Sequence, residues 1–299
     1  MTIARRMAIA VYSDVARTLA ERLSERIATQ AYRALLRELA TWPKPGLVSH
    51  VDNGSHGDMN ASMLRTSAVV LRPYFAELAM AGYTQAGMNG LRAIGLRAEA
   101  AMLSATGGVN THRGAIFGLG LLCAAAGSVA GVTADGAVVA HAHLGAIVAR
   151  RWGNDIRRGP IPLFSHGSAV LRQYGARGEA EEGFPSVYEI GLPALRLGRV
   201  LAPGIPAAPR VQVCFALIAA VRDSNLLHRG GARGASYAAQ AASRFLSQGG
   251  VGAPDWRRRA AAVHGDFVVR NLSPGGCADL LAMTLLVDAL ESGAAIPGL

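Results

Sequence analysis

Between positions 19 and 39 an apolar residue recurs at every fourth position, close to the spacing that places side chains on one face of an α-helix. The residues are Leu19, Leu23, Ile27, Ala31, Leu35 and Leu39. Arginine and glutamate fill many of the positions between them, so the pattern predicts an amphipathic helix with one buried face. Pro43 follows the pattern and ends it, because proline disfavours a helical conformation in the residue before it.

Helical patterns of this kind cover most of the chain, and no alternating strand pattern of any weight accompanies them. Further helices are predicted at 62–81, from 91 to the glycine pair at 107–108, and at 114–127, 134–151, 210–228, 234–247, 255–270 and 277–291. Positions 152–209 are richer in glycine and proline, which favours shorter helices there. We therefore predict an all-α fold. It is a single compact multi-helix domain of residues 1–299, in which residues 1–16 are a candidate peripheral N-terminal extension.

The composition restricts the class of binding partner. Apolar residues make up 51% of the chain and charged residues 17%, which argues against disorder. A net charge of +10 is compatible with nucleic acid, an anionic membrane surface or a small polyanionic substrate. No block of five basic residues occurs, and aromatic residues do not alternate with basic ones. We therefore predict a small polyanion as substrate, with no nucleic acid and no membrane as partner; the alternative is a charge that only keeps the surface soluble.

The cysteines and the apolar segments predict the cellular compartment. Cys123, Cys214 and Cys277 lie far apart and form no CxxC pair, which argues against a disulfide framework or a structural zinc site. The most apolar stretch, 114–126, is shorter than the roughly 20 residues that span a bilayer. The N-terminus lacks the uninterrupted apolar run of a secretory signal. We expect a cytoplasmic protein.

Polar residues collect in four segments between the predicted helices, and the first is TWPKPGLVSHVDNGSHGDMN at 41–60. Prolines on both sides restrict the backbone at Lys44, the only lysine of the chain, which suits a fixed cation for phosphate. The alternative is an ordinary exposed lysine in a turn. His56 and Asp58 offer ligands for a divalent metal or a sugar hydroxyl. Asp58 also fits the N-cap of the next helix.

The second segment is GGVNTHRGAIFGLG at 107–120. Asn110, Thr111, His112 and Arg113 precede an apolar helix, and the N-terminus of a helix is a natural binding site for anions. Thr111 also fits a simple N-cap, and His112 a structural histidine.

The third segment, AVRDSNLLHRGG at 220–231, is predicted to end an apolar helix. Asp223 and Asn225 offer oxygen ligands to a cation, and Arg229 offers bidentate contacts to phosphate. An arginine before two glycines is also typical of a helix C-cap.

The fourth segment is VRNLSPGGCADLLAMT at 269–284. Its Ser-Pro-Gly-Gly element, which includes Ser273, Gly275 and Gly276, exposes backbone N–H groups ahead of a helix and allows close approach of a ligand. Asp279 lies in the first turn of that helix, where the helix dipole stabilises a carboxylate whatever its function. Glu99, at the edge of the apolar stripe of its helix, is a further candidate carboxylate.

Taken together, PKPGLV with NGSHGDM, the E-x-x-M-x-x-x-TGGVNTHRGAIF run, DSNLLHRGG and LSPGGCADLLA resemble the triphosphoribosyl-dephospho-CoA synthase family. The four motifs occur in the family's order over about 240 residues. The resemblance implies an all-helical transferase that joins ATP to 3′-dephospho-CoA and releases adenine. The product is the prosthetic-group precursor of an acyl carrier protein in citrate lyase or malonate decarboxylase. The alanine- and arginine-rich composition favours the malonate decarboxylase branch.

With this resemblance, the candidate residues acquire predicted roles in an active site built from inter-helix loops. The proposed catalytic residues are Asp58, Asp223, Glu99, His56 and His112, with the histidines as proton shuttle or ribose contacts. The substrate-binding residues are Lys44, Asn110, Thr111, Arg113, Asn225, Arg229, Ser273, Gly275 and Gly276. Mg²⁺ is the expected cofactor, with Asp58, Asp223 and Asp279 as candidate ligands.

The expected partners are ATP, 3′-dephospho-CoA and the enzyme that takes the product on to the carrier protein; a homodimer is a further expectation. Two other functions fit the same residues. One is a metal-dependent nucleotide phosphohydrolase on a helical scaffold, which would release phosphate or pyrophosphate. The other is a basic helical module that binds nucleic acid, with an affinity that falls steeply with salt.

Overall fold

Helices make up the regular structure of the computed structural model, which describes residues 3–130, 143–159 and 175–292. Within these ranges no strand occurs, which confirms the predicted all-α fold. The α-helices are α1 (Ile3–Leu39), α2 (Ala61–Tyr83), α3 (Met88–Ala105), α4 (Arg113–Ala130), α5 (Leu144–Arg158), α6 (Ala176–Glu181), α7 (Leu192–Leu201), α8 (Ala208–Ala220), α9 (Ser224–Ser247), α10 (Trp256–Val269) and α11 (Gly275–Glu291). A π-helical segment spans Ser186–Gly191, and a 3₁₀ turn spans Gly250–Gly252.

Most predicted helices lie within a few residues of the observed ones. The first helix is longer than its apolar pattern indicated, because it begins at Ile3 and includes the candidate N-terminal extension. Of the helix predicted at 134–151, residues 134–142 lie outside the described ranges, and α5 covers the remainder. Pro73 lies inside α2, within the helix predicted at 62–81. The cap of α2 is Asn60, whose Oδ1 accepts the N–H of Met63 at 3.0 Å, so Asp58 does not have the capping role that was its alternative.

The helix predicted at 210–228 is wrong. The structure divides it into α8 and α9, which are separated by residues 221–223. Asp223 is the N-cap of α9, and its Oδ1 accepts the N–H groups of Asn225 at 2.7 Å and Leu226 at 3.2 Å. The third polar segment therefore begins a helix instead of ending one, and Arg229 is not a C-cap. A non-helical backbone conformation at Gly231, with φ 59° and ψ −166°, kinks α9 two residues after Arg229.

Helices α2 and α4 pack against each other with their backbones in close contact. A Cβ atom on Gly82 would lie 1.9 Å from the carbonyl oxygen of Ala124, and one on Gly127 would lie 1.9 Å from the oxygen of Ala79. Only glycine permits this approach. Helices α1 and α11 pack beside the pair, and one continuous apolar core extends from Leu23 in α1 to Leu290 in α11.

Cys123, Cys214 and Cys277 are buried, and no two of them form a disulfide. Among the described helices, none combines the length and hydropathy needed to cross a bilayer.

Candidate active site

His56 joins three of the four polar segments. Its Nε2 lies 2.8 Å from Ser273 Oγ, and its Nδ1 lies 3.3 Å from Asp58 Oδ1 and 3.2 Å from Nη2 of Arg229. Burial lowers the pKa of His56, and the charge of Arg229 lowers it further, against the opposing effect of Asp58. The imidazole is therefore biased toward its neutral form, which can accept a proton.

Arg229 links the same segments through its second terminal nitrogen. Nη1 donates hydrogen bonds to the carbonyl oxygen of Ser55 and to Oδ1 of Asn271, both at 2.8 Å. Because a guanidinium presents several donors in a fixed plane, one side chain holds the first segment against the fourth. The structure thus gives Arg229 a structural role at the edge of the site, where its charge also faces the cavity described below.

Asp223 connects the starts of two helices. Its Oδ1 caps α9, and its Oδ2 accepts the N–H of Cys277 in the first turn of α11 at 2.8 Å. A Cβ atom on Gly275 would lie 2.9 Å from Asn225 Nδ2, and one on Gly276 would lie 3.0 Å from Asp223 Oδ2. A side chain at either glycine would therefore displace Asn225 or Asp223 from this contact between helix starts.

Asp279 lies against the N-terminus of α4, where a Cβ atom on Gly114 would be only 2.0 Å from Asp279 Oδ2. The N–H of Ala115 donates to the carboxylate. Burial raises the pKa of Asp279 well above its usual range, and the neighbouring carboxylates of Glu38 and Asp223 raise it further. Glu38 and Asp223 are thus both close enough to Asp279 for their charges to act on its carboxyl group.

The second polar segment supplies an ion pair. Arg113 donates from Nε to Oε1 of Glu99 at 2.6 Å, and the backbone N–H of Arg113 donates to Asn110 Oδ1 at 3.1 Å. The Glu99 side chain is 27% exposed and the Arg113 side chain 56% exposed, so the pair is partly open to solvent. A polyanionic ligand can therefore compete with Glu99 for the guanidinium.

His112, in contrast, is buried. Its Nδ1 lies 2.7 Å from Ser67 Oγ, which also accepts a hydrogen bond from Thr111 Oγ1 at 2.9 Å. Burial, with a smaller effect of the Lys44 charge, lowers the pKa of His112 to about 4. The imidazole is therefore neutral near pH 7 and acts through hydrogen bonds instead of charge.

Lys44 is not the exposed lysine that was the alternative, and its ammonium group does not face the cavity where phosphate was predicted to bind. Its side chain is 1% exposed, and Nζ forms an ion pair with the carboxylate of Glu38 and donates to the Glu38 carbonyl oxygen at 3.0 Å. A buried ammonium needs such a partner. Glu38 instead reaches the cavity, and Lys44 holds it there. The sequence contained a signal for Glu38, because it lies three residues after Leu35 on the buried face of α1.

These residues line a cavity of about 990 Å³, near the upper end of the about 300–1,000 Å³ range of small-molecule sites. Every residue predicted for the site contributes to its lining except Lys44. Four lining residues with ionisable side chains were not expected from the sequence, and they are Glu38, Arg92, Arg177 and Arg222. The cavity thus has the convergence of carboxylates, cations and helix N-termini that suits a phosphate-bearing ligand.

The predicted magnesium ligands do not form a complete protein site. In the part of the chain that the structure describes, no three His, Cys, Asp or Glu side chains are arranged to hold a metal ion. Asp223 and Asp279 are nevertheless close enough for their negative charges to repel each other. A cation bound between them would offset that repulsion. Mg²⁺ is commonly held by one or two carboxylates together with phosphate oxygens of a substrate. The two carboxylates fit that arrangement.

The structure defines an all-helical protein with one large cavity lined by carboxylates, cationic side chains and helix N-termini, among the residues that it describes. Comparison with known proteins identifies the family. The sequence model of the ATP:dephospho-CoA triphosphoribosyl transferase family, CitG, matches residues 24–297, and the chain belongs to this family.

Curated relatives cover nearly the whole chain. A protein from Pseudomonas fluorescens named "Probable 2-(5''-triphosphoribosyl)-3'-dephosphocoenzyme-A synthase" is 40% identical over 92% of this chain and 94% of its own length. A protein of the same name from Stutzerimonas stutzeri is 39% identical over 92% and 94%. A Pectobacterium atrosepticum protein named "2-(5''-triphosphoribosyl)-3'-dephosphocoenzyme-A synthase" is 38% identical over 85% of each chain. No solved structure matches the chain.

Proposed function

We propose that this enzyme transfers the 5-triphosphoribosyl group of ATP to the 2′-hydroxyl of 3′-dephospho-CoA and releases adenine. The observation that carries the proposal is the meeting of all four motif segments in one cavity, in a chain that belongs to the triphosphoribosyl transferase family. The bond between ribose C1 and adenine breaks, and a bond between C1 and the attacking hydroxyl oxygen forms. The hydroxyl loses its proton to a base, and adenine gains one as it leaves.

The proposed base is the His56–Asp58 pair. A neutral imidazole can take the hydroxyl proton, and a carboxylate on its other nitrogen stabilises the imidazolium that results. The 3.3 Å contact between Nδ1 and Asp58 Oδ1 and the lowered pKa of His56 both support this assignment. Asp58, which the sequence analysis also considered as a metal ligand, is therefore proposed as the partner of His56. Glu99 is proposed to pair with Arg113 in the free enzyme and to be replaced by phosphate when the substrate binds.

The triphosphate is proposed to bind at the start of α4 and α11. Backbone N–H groups at helix N-termini and the guanidinium of Arg113 supply donors to phosphate oxygens. Asp223 and Asp279 would hold Mg²⁺ beside the phosphates, where the ion would neutralise part of their charge. His112, Thr111 and the Ser273 hydroxyl are proposed to orient the ribose by neutral hydrogen bonds.

The test is an adenine-release assay. Purified protein is incubated with Mg²⁺, ATP and 3′-dephospho-CoA, and adenine and phosphate are quantified by chromatography. The proposal requires adenine that appears only when both substrates are present. Phosphate or pyrophosphate released without dephospho-CoA would instead support the phosphohydrolase alternative, and folded protein that forms no adenine would refute the transferase assignment.

We further propose that the product supplies the acyl carrier protein of malonate decarboxylase, with that of citrate lyase as the alternative. The alanine- and arginine-rich composition supports this choice. In the test, each apo carrier protein is incubated with the product and with the enzyme that attaches the prosthetic group, and the rate of its modification is measured. Faster modification of the malonate decarboxylase carrier is the expected result, and a preference for the citrate lyase carrier would contradict it.

A further inference from the structure

One face of α3 forms a wall of the cavity beyond the four polar segments. Its lining residues are Met88, Leu91, Arg92, Gly95, Leu96 and Glu99. Positions 88, 91–92, 95–96 and 99 recur at about one helical turn, so the six residues lie on one face of the helix. From Met88 to Glu99 this face is about 16 Å long, at about 1.5 Å per residue.

Helices α4 and α5 pack against α3 and add apolar residues to the lining of the cavity. These residues are Phe117 and Leu121 of α4 and Ile156 near the end of α5. We call this part of the cavity the α3 arm, defined by Leu91, Gly95, Leu96, Phe117, Leu121 and Ile156.

The α3 arm has polar groups at both ends. At one end the Glu99–Arg113 ion pair joins it to the polar centre of the cavity. At the other end the guanidinium of Arg92 lies beside Gly159, where a Cβ atom would be 2.8 Å from Arg92 Nη2. An occupant of the arm is therefore elongated and uncharged in its middle, and it is attached to an anionic group near Arg113.

We infer that the α3 arm binds the pantetheine chain of 3′-dephospho-CoA; the inference rests on the proposed function. Beyond the ribose, ATP consists of the charged triphosphate and the adenine that leaves from the reacting carbon. Dephospho-CoA alone carries a long uncharged chain, with methylene and methyl groups that favour an apolar wall. Its diphosphate, at the start of that chain, lies at the Arg113 end of the arm, where the guanidinium can contact it as well as the triphosphate of ATP.

Gly95 provides a direct test, because a Cβ atom there meets no atom within 4 Å and the residue lines the arm. The side chain introduced by Gly95→Phe therefore enters the arm without displacing the backbone. Gly90→Phe is the matched control, since Gly90 is an exposed residue of the same helix that does not line the cavity. Thermal unfolding of both variants establishes that each is folded.

We expect Gly95→Phe to raise the KM for dephospho-CoA by about tenfold or more and to change the KM for ATP by less than about twofold. Gly90→Phe leaves both values at the wild-type level. A raised KM for ATP with an unchanged KM for dephospho-CoA would place adenine in the arm and overturn the inference. Two unchanged KM values, or equal increases in both, would also overturn it.

Leu96→Glu is a second variant that keeps the question decidable if Gly95→Phe does not fold. Leu96 is 62% exposed, so the fold tolerates a charge there, and the carboxylate faces the arm. A raised KM for dephospho-CoA alone supports the inference, and an unchanged value contradicts it. If the wild-type enzyme itself releases no adenine, the proposed function fails. If it is active and the arm variants retain its KM values, only the assignment of the arm fails.

Discussion

The Nε2 atom of His56 lies 2.8 Å from Ser273 Oγ, although 217 residues separate the two side chains. Arg229, which is 173 residues from His56, contacts the same imidazole through Nη2. The contacts hold the α1–α2 loop against the starts of α9 and α11. The candidate base is thus positioned by parts of the chain that are remote in sequence, and variants at those positions test the site.

Arg229→Lys is expected to lower kcat/KM for adenine release by about 10²-fold. Lysine keeps the charge but cannot donate in one plane to Ser55 and Asn271 while it contacts the His56 imidazole, so the base loses its alignment. Steady-state kinetics with both substrates measure the effect. Arg233→Lys, at an exposed position of the same helix, is the control and retains wild-type rates. Equal activity in both variants would remove Arg229 from the site.

Gly114→Ala is expected to abolish most of the activity. The added Cβ would lie 2.0 Å from Asp279 Oδ2, so the carboxylate must leave the N-terminus of α4. In Gly265→Ala the new Cβ meets no atom within 4 Å, and this change in α10 is expected to stabilise the protein by about 0.5–1 kcal/mol. Adenine release and urea unfolding measure the two effects. An active Gly114→Ala enzyme would contradict the proposed position of Asp279.

Lys44→Met is expected to lower the free energy of unfolding by about 3–5 kcal/mol, because it leaves the buried Glu38 carboxylate without its ion-pair partner. Urea unfolding followed by circular dichroism measures the change. Arg72→Met breaks the exposed pair with Glu25 and should cost no more than about 1 kcal/mol. A similarly small loss for Lys44→Met would show that the Glu38 pair is not buried as described.

Stability should also fall with acid through His112. Its pKa is about 6.5 in the unfolded chain and about 4 in the folded protein, so the unfolded state binds more protons between these values. The free energy of unfolding is therefore not reduced by His112 above about pH 6.5, and it falls by about 3 kcal/mol in total as the pH falls toward 4. Urea unfolding at pH 7.5 and pH 4.5 measures the loss. His112→Gln should lose less stability over this range than the wild type, and equal losses would contradict the assignment.

The helices of the core were predictable because apolar spacing alone defines a buried face. The break between α8 and α9 was not recognised, because the apolar run before residue 221 continues after it at Leu226. Asp223 followed by Ser224 is a regular N-cap signal. Because the apolar pattern continues on both sides of Asp223, the sequence alone does not show whether this carboxylate begins a helix or ends one.

The site was predictable as a set of segments but not as a geometry. Glycine, proline and polar residues identify the four segments, and the family resemblance identifies their common purpose. The position of Lys44 depends on Glu38 of the preceding helix. The spacing from Leu35 indicates that Glu38 is buried, but it does not indicate which cation it pairs with. The α3 arm likewise exists because parts of α3 and α4 line a cavity instead of packing against each other. Tertiary packing determines which residues these are, and the local sequence does not.

The most direct test of the transferase assignment follows the ribose itself. The enzyme is supplied with Mg²⁺, unlabelled 3′-dephospho-CoA and ATP carrying ¹³C throughout its ribose, and the products are analysed by mass spectrometry. The account predicts a dephospho-CoA adduct that contains the whole labelled ribose and three phosphates, together with unlabelled adenine. Labelled ADP or AMP beside unmodified dephospho-CoA would contradict it.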